Sequence, residues 1–92
     1  MELFVQIAEK IIKQQESIIG PVAIEQASAV DGLEIDKASR KVKISGAGKQ
    51  VIDNLVNRYK DLFGQVSVEV CKDAASVFIK QLPADQLPDS LK

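Results

Sequence analysis

From Leu3 to Ile19 apolar residues fall at positions 3, 4, 7, 8, 11, 12, 18 and 19, with Gln6, Glu9, Lys10, Lys13 and Ser17 opposite them. That spacing follows a 3.6-residue period and predicts an amphipathic helix. Gly20 ends it, because glycine adopts the left-handed conformation of a helix C-terminus without a Cβ clash. Pro21 then opens a second helix, since its missing N–H is tolerated best at the first helical position. This helix is predicted to run to about Val30, before the turn signal Asp31-Gly32.

Beyond the turn the period changes to two. Leu33-Glu34-Ile35-Asp36 and Lys41-Val42-Lys43-Ile44-Ser45 alternate apolar and charged residues, which predicts two half-buried strands joined through residues 37–40. A two-stranded hairpin is marginal alone in water. Leu33, Ile35, Val42 and Ile44 must therefore lie on the helices, or the hairpin must pair with one from another molecule.

After Gly46-Ala47-Gly48 the helical period returns with Val51, Ile52, Leu55, Val56, Tyr59, Leu62 and Phe63, up to Gly64. The next stretch, Val66-Ser67-Val68-Glu69-Val70, alternates strictly and is β-branched, as a strand would be. Two features favour helix. Continued to Leu82, the segment places Val66, Val70, Cys71, Ala74, Val77, Phe78 and Leu82 on one arc at about 100° per residue. The segment also occupies the place of the second helix in an internal repeat. Shifting the chain by 44 positions sets Gly20 on Gly64, Val22 on Val66 and Glu25 on Glu69, and pairs Ile7 with Val51, Ile11 with Leu55 and Ala27 with Cys71.

The expected fold is therefore α+β: four helices in two Gly-hinged helical hairpins, a possible internal duplication, around a central β-hairpin. It forms one small domain over residues 1–82, divided into a first helical pair (1–30), the β-hairpin (33–45) and a second helical pair (48–82). Residues 83–92 form a Pro-containing tail that is either disordered, as termini often are, or ordered with its leucines packed on the body or waiting for a partner groove. The apolar arc of the last helix covers about 200°, wider than one core needs. Its second cover is either its own fold, as a central helix, or another subunit, with a two-fold homodimer the commonest arrangement.

Composition narrows the function. The 92 residues carry a net charge of −1, which gives no general attraction to nucleic acid or acidic membrane. No apolar run is long enough for a membrane span, the start lacks signal-peptide character, and one cysteine fits a reducing compartment, so the expected location is the cytoplasm. There is no His. The usual base for Ser or Cys nucleophiles and the commonest zinc ligand are therefore missing.

Ser45-Gly46-Ala47-Gly48-Lys49-Gln50 has the setting of a phosphate loop, between strand and helix, but not its residues. Lys43 stands at the first glycine and Gln50 at the magnesium-binding hydroxyl. It reads as a turn. Lys37, Arg40, Lys41, Lys43 and Lys49 make the insert the most basic region and a candidate for anion or nucleic-acid contact, although no aromatic residue is interleaved for base stacking. Glu25 and Glu69 are repeat mates on charged faces and read as solvated surface. Cys71, in the apolar arc, reads as an inert core thiol. No catalytic, cofactor-binding or metal-ligating residue is assigned.

The run Ile19-Gly20-Pro21-Val22-Ala23, leading to Ala27 and followed by a Leu-Pro-containing tail, resembles a short helical domain found at the C-terminal end of some bacterial protein kinases and response regulators. Glu25 and Gln26 stand where that pattern has basic residues, and no kinase or receiver part accompanies them. The resemblance implies a regulatory or interaction module. The expected function is thus non-enzymatic: self-association, or docking on another protein, through Val66, Val70, Val77, Phe78 and Leu82. The alternative is a nucleic-acid-binding module on the basic hairpin, residues 37–49.

Overall fold

All four helices and the hairpin form. The computed structural model describes residues 3–91, with α1 at Leu3–Ile19, α2 at Val22–Ser28, β1 at Leu33–Ile35, β2 at Val42–Ile44, α3 at Gly48–Phe63 and α4 at Gln65–Ile79. Two 3-10 turns, Ala84–Gln86 and Asp89–Leu91, follow. The second helix is shorter than its pattern suggested, and Pro21 is its N-cap residue rather than its first helical one. The segment after Gly64 is helix, as the period indicated over the alternation. Helical geometry lets Val68, Cys71 and Ala75 turn one buried face inward, whereas the two-stranded sheet offers Val66–Val70 no paired strand.

Both hinges are glycines with positive φ, 76° at Gly20 and 83° at Gly64. Gly64 pairs that φ with a ψ of −170°, a region open essentially to glycine alone. Each turn folds a helix back on its predecessor, so α1 packs on α2 and α3 packs on α4.

The repeat extends from sequence into packing. Within residues 7–30 the buried positions are Ile7, Ala8, Ile11, Ile12, Gln15, Ala23, Ile24, Ala27 and Val30. Shifted by 44 they become Val51, Ile52, Leu55, Val56, Tyr59, Ser67, Val68, Cys71 and Ala74, which are all the buried positions of residues 51–74. Two hydrogen bonds cross between the halves in the same reciprocal way. Gln15 Nε2 donates to the Ser67 carbonyl at 3.0 Å, and Tyr59 Oη donates to the Ala23 carbonyl at 2.6 Å. Residues 15 and 59 are repeat mates, and so are 23 and 67. The pair of bonds is therefore related by an approximate two-fold exchange of the halves, with α1 packed on α4 as α3 packs on α2.

The hairpin is antiparallel, with Leu33 opposite Ile44 and Ile35 opposite Val42. Its turn is closed by Asp36, whose Oδ1 accepts the N–H groups of Ala38 and Ser39. Those two N–H groups hold the exposed Asp36 carboxyl below its ordinary range. Leu33 and Val42 are buried on the helices, and Glu9 of α1 accepts the Val42 N–H at 3.0 Å. Of the two options for covering the hairpin, the chain uses its own helices.

The tail also packs on the body. Pro88 and Leu91 are buried, and Asp53 Oδ1 accepts both the N–H and the hydroxyl of Ser90, at 3.0 and 2.6 Å. Asp53 is the repeat mate of Glu9. In each half the same helical position thus holds a backbone N–H of the segment that follows the helical pair.

Candidate interaction surface

The five residues expected to form the surface divide between two settings. Val66 is 74% exposed and Val77 is 64% exposed. They lie 11 residues apart, on nearly the same line of α4, with Val70 half-buried beside them. Phe78 and Leu82 instead pack against the core, Leu82 from the turn that follows α4. The arc is therefore wide because its inner part covers the core while the valines stay at its solvent edge. Asp73 lies between them on that edge and breaks the stripe.

Among the described residues, the exposed large apolar side chains other than Val77 all lie within two residues of a hinge glycine. Ile18 is 60% exposed, Leu62 50% and Phe63 38%. The Gln15–Ser67 hydrogen bond brings the last turn of α1 to the first turn of α4, and Leu62 and Phe63 directly precede the Gly64 hinge into that turn. Ile18 and Leu62 are repeat mates, each three residues beyond the buried Gln15 or Tyr59. Helical periodicity assigned Ile18, Leu62 and Phe63 to the inner face. They emerge into solvent because the core ends one turn earlier, at the two cross-half hydrogen bonds.

Beneath this end lie the buried polar groups. Gln15 Nε2 also approaches Cys71 Sγ at 3.4 Å. Burial pushes the Cys71 thiol up to about 11, with the Gln15 contact acting in the opposite direction. Burial also raises Tyr59, and Cys71 and Glu16 nearby add to the effect. Both groups are neutral at ordinary pH, and among the described residues no buried side-chain polar atom lacks a partner.

The basic residues are dispersed. Arg40 forms a two-pronged ion pair with Glu16, at 2.8 and 3.2 Å, and Lys49 Nζ donates to the Asp85 carbonyl at 3.3 Å. Lys37, Lys41 and Lys43 are exposed. Between α1 and the hairpin a cleft of about 390 Å³ is lined by Glu9, Ile12, Lys13, Glu16, Ser39, Arg40 and Lys41. Its two carboxylates are already engaged, Glu9 by the Val42 N–H and Glu16 by Arg40. Glu25 and Glu69 are both exposed, and Glu69 lies 3.8 Å from Lys72. Among the described residues no group of three or more His, Cys, Asp or Glu could hold a metal ion.

At the start of α3, Gly48 serves packing. A Cβ there would meet the Phe4 ring, so the glycine lets α1 and the start of α3 approach. No described helix is long and apolar enough to cross a membrane. No family model, curated protein or solved structure matches the chain.

Proposed function

We propose that this chain is a non-enzymatic interaction module that associates with itself through the apolar end formed by Ile18, Leu62, Phe63 and Val66. The observation that carries the reading is the exposure of these four large apolar side chains at one end of a small fold. Scattered apolar residues are normal on a surface, whereas a cluster marks a contact site. All four lie within two residues of a hinge glycine, and a contact that sets this one patch of each molecule against the same patch of another closes about a two-fold axis. A regulatory role is the further part of the proposal, and it rests on the resemblance of Ile19 to Ala23 to domains that accompany kinases and response regulators.

Sedimentation equilibrium of the native chain beside Leu62→Glu and Val66→Glu tests it. Self-association that rises with concentration and is lost in both variants, with helix content unchanged, is the expected result. A native chain that stays at its 10.0 kDa monomer mass at millimolar concentration contradicts it. The nucleic-acid reading has Lys37, Lys41 and Lys43 in its favour, while Arg40 and Lys49 are turned toward protein partners. Binding to duplex or single-stranded probes that weakens steeply with salt, and is lost on Lys41→Glu with Lys43→Glu, would support it.

A further inference from the structure

The segment from Pro83 to Leu91 is held in a different way from the rest of the fold. It crosses the first turns of α3, where Lys49 meets the Asp85 carbonyl, and ends in a groove between α3 and α4. Its far end is held more firmly than its connection: Pro88 and Leu91 are buried, and Ser90 donates its N–H and its hydroxyl to Asp53, whereas the Lys49 contact with the Asp85 carbonyl is exposed. The connection, residues 83–86, is exposed throughout. The equivalent segment of the first half is secured more heavily, by paired strands, the Glu9–Val42 hydrogen bond and the Arg40–Glu16 ion pair. A strap with few buried contacts and an exposed connection belongs to the part of a fold that opens most easily.

We propose that the α3–α4 groove takes residues 84–91 from a second copy of the chain, so that two molecules exchange straps. The partner's chemistry is the strap's own: a short extended segment with Leu87, Pro88 and Leu91 for the groove and Ser90 for Asp53. Exchange makes the same contacts between molecules as within one and therefore loses none of them. Within one chain the strap competes at an effective concentration of about 1 mM, typical of a short flexible connection, so exchange grows as the protein approaches that concentration. The groove lies on the flank of α4 that carries Val68. Val66 is two residues away and about 200° round the helix. Strap exchange therefore does not need the apolar end.

The test replaces the two touching side chains in the full chain, Asp53→Cys with Ser90→Cys, and oxidises an equal mixture of normal and 15N-labelled protein. Linked peptides joining positions 53 and 90 are then read by mass spectrometry. We expect mixed-isotope pairs whose share rises several-fold between about 10 μM and about 1 mM, and remains when Leu62→Glu is added. Same-isotope pairs alone at every concentration overturn the proposal. Should the double variant lose helix content, a fluorescein-labelled peptide of residues 83–91 titrated into the native chain decides the matter. Saturable binding that Asp53→Ala abolishes supports exchange, and no saturable binding up to about 1 mM overturns it.

Discussion

Gln15 and Tyr59 do the same work from opposite sides: each sits at the last buried turn of its helix and donates to a carbonyl of the other half. Tyr59→Phe removes that bond while the Ala23 carbonyl keeps its place in the α2 ladder, and we expect a loss of about 0.5 to 1.5 kcal/mol in urea unfolding. Gln15→Ala should cost at least as much, because it removes the donor to Ser67 and opens a gap beside Cys71. A second residue-level prediction concerns alkaline pH. Burial holds the Cys71 thiol neutral up to about 11, against an ordinary 9.0, and raises Tyr59 as well. Between these values the unfolded thiol ionises and the folded one does not. The stabilisation is thus complete below about pH 9 and is lost as pH rises toward 11, at about 1.4 kcal/mol per pH unit. Cys71→Ala should move the onset of that decline to about pH 10, where an unfolded tyrosine begins to ionise. An unchanged onset would show that the thiol has no part in it. Of these residues, sequence identified Cys71 as a core thiol and placed Tyr59 on the apolar face, but as a candidate for partner contact, whereas its side chain is fully buried. The cross-half bonds were not legible, because a polar Gln15 opposite an aromatic mate gives no sign of a shared role until the halves face each other.

At the scale of elements, the helices, the hinges and the hairpin were all legible, because each has its own period and its own punctuation. The Val66–Val70 stretch shows what decides between periods: an alternating run becomes helix where no strand can pair with it and its neighbours complete a buried face. Two substitutions separate the ways a glycine serves here. Nothing lies near a Cβ added at Gly64, so Gly64→Ala tests backbone strain alone, with an expected cost of about 1 to 3 kcal/mol. Gly48→Ala instead forces a methyl against Phe4, and a similar cost, about 1 to 3 kcal/mol, should arise from overpacking. Phe4→Ala introduced with it should recover part of the Gly48→Ala loss and none of the Gly64→Ala loss, as double-mutant unfolding would show. Gly46 and Gly48 stand in the setting of a phosphate loop and read as a plain turn into α3. The approach of Phe4 that explains Gly48 joins residues 44 positions apart and lies beyond local pattern. The docking of the tail was an open choice for the same reason. Its leucines and prolines define an extended segment, while the groove that receives it comes from α3 and α4 and from an acidic side chain, Asp53, that resembles ordinary surface.

The whole molecule is two related halves that complete each other's core. The 44-residue repeat carries the buried positions of residues 7–30 onto those of residues 51–74, and gives Glu9 and Asp53 one task on two different segments. It also explains the apolar end, since both hinge-proximal turns run past the core at the same place. The surface expected from sequence ran along the whole of the last helix. The structure keeps Val66 and Val77 outside, gives Phe78 and Leu82 to the core, and adds Ile18, Leu62 and Phe63, whose exposure depends on where the core stops rather than on any period. The most direct test of self-association through this end is a concentration series of methyl and amide NMR spectra of the native chain. The account predicts concentration-dependent shifts centred on Ile18, Leu62, Phe63 and Val66, with the Lys37–Lys43 turn unmoved. Spectra that do not change up to millimolar concentration, or shifts confined to the hairpin, would contradict it.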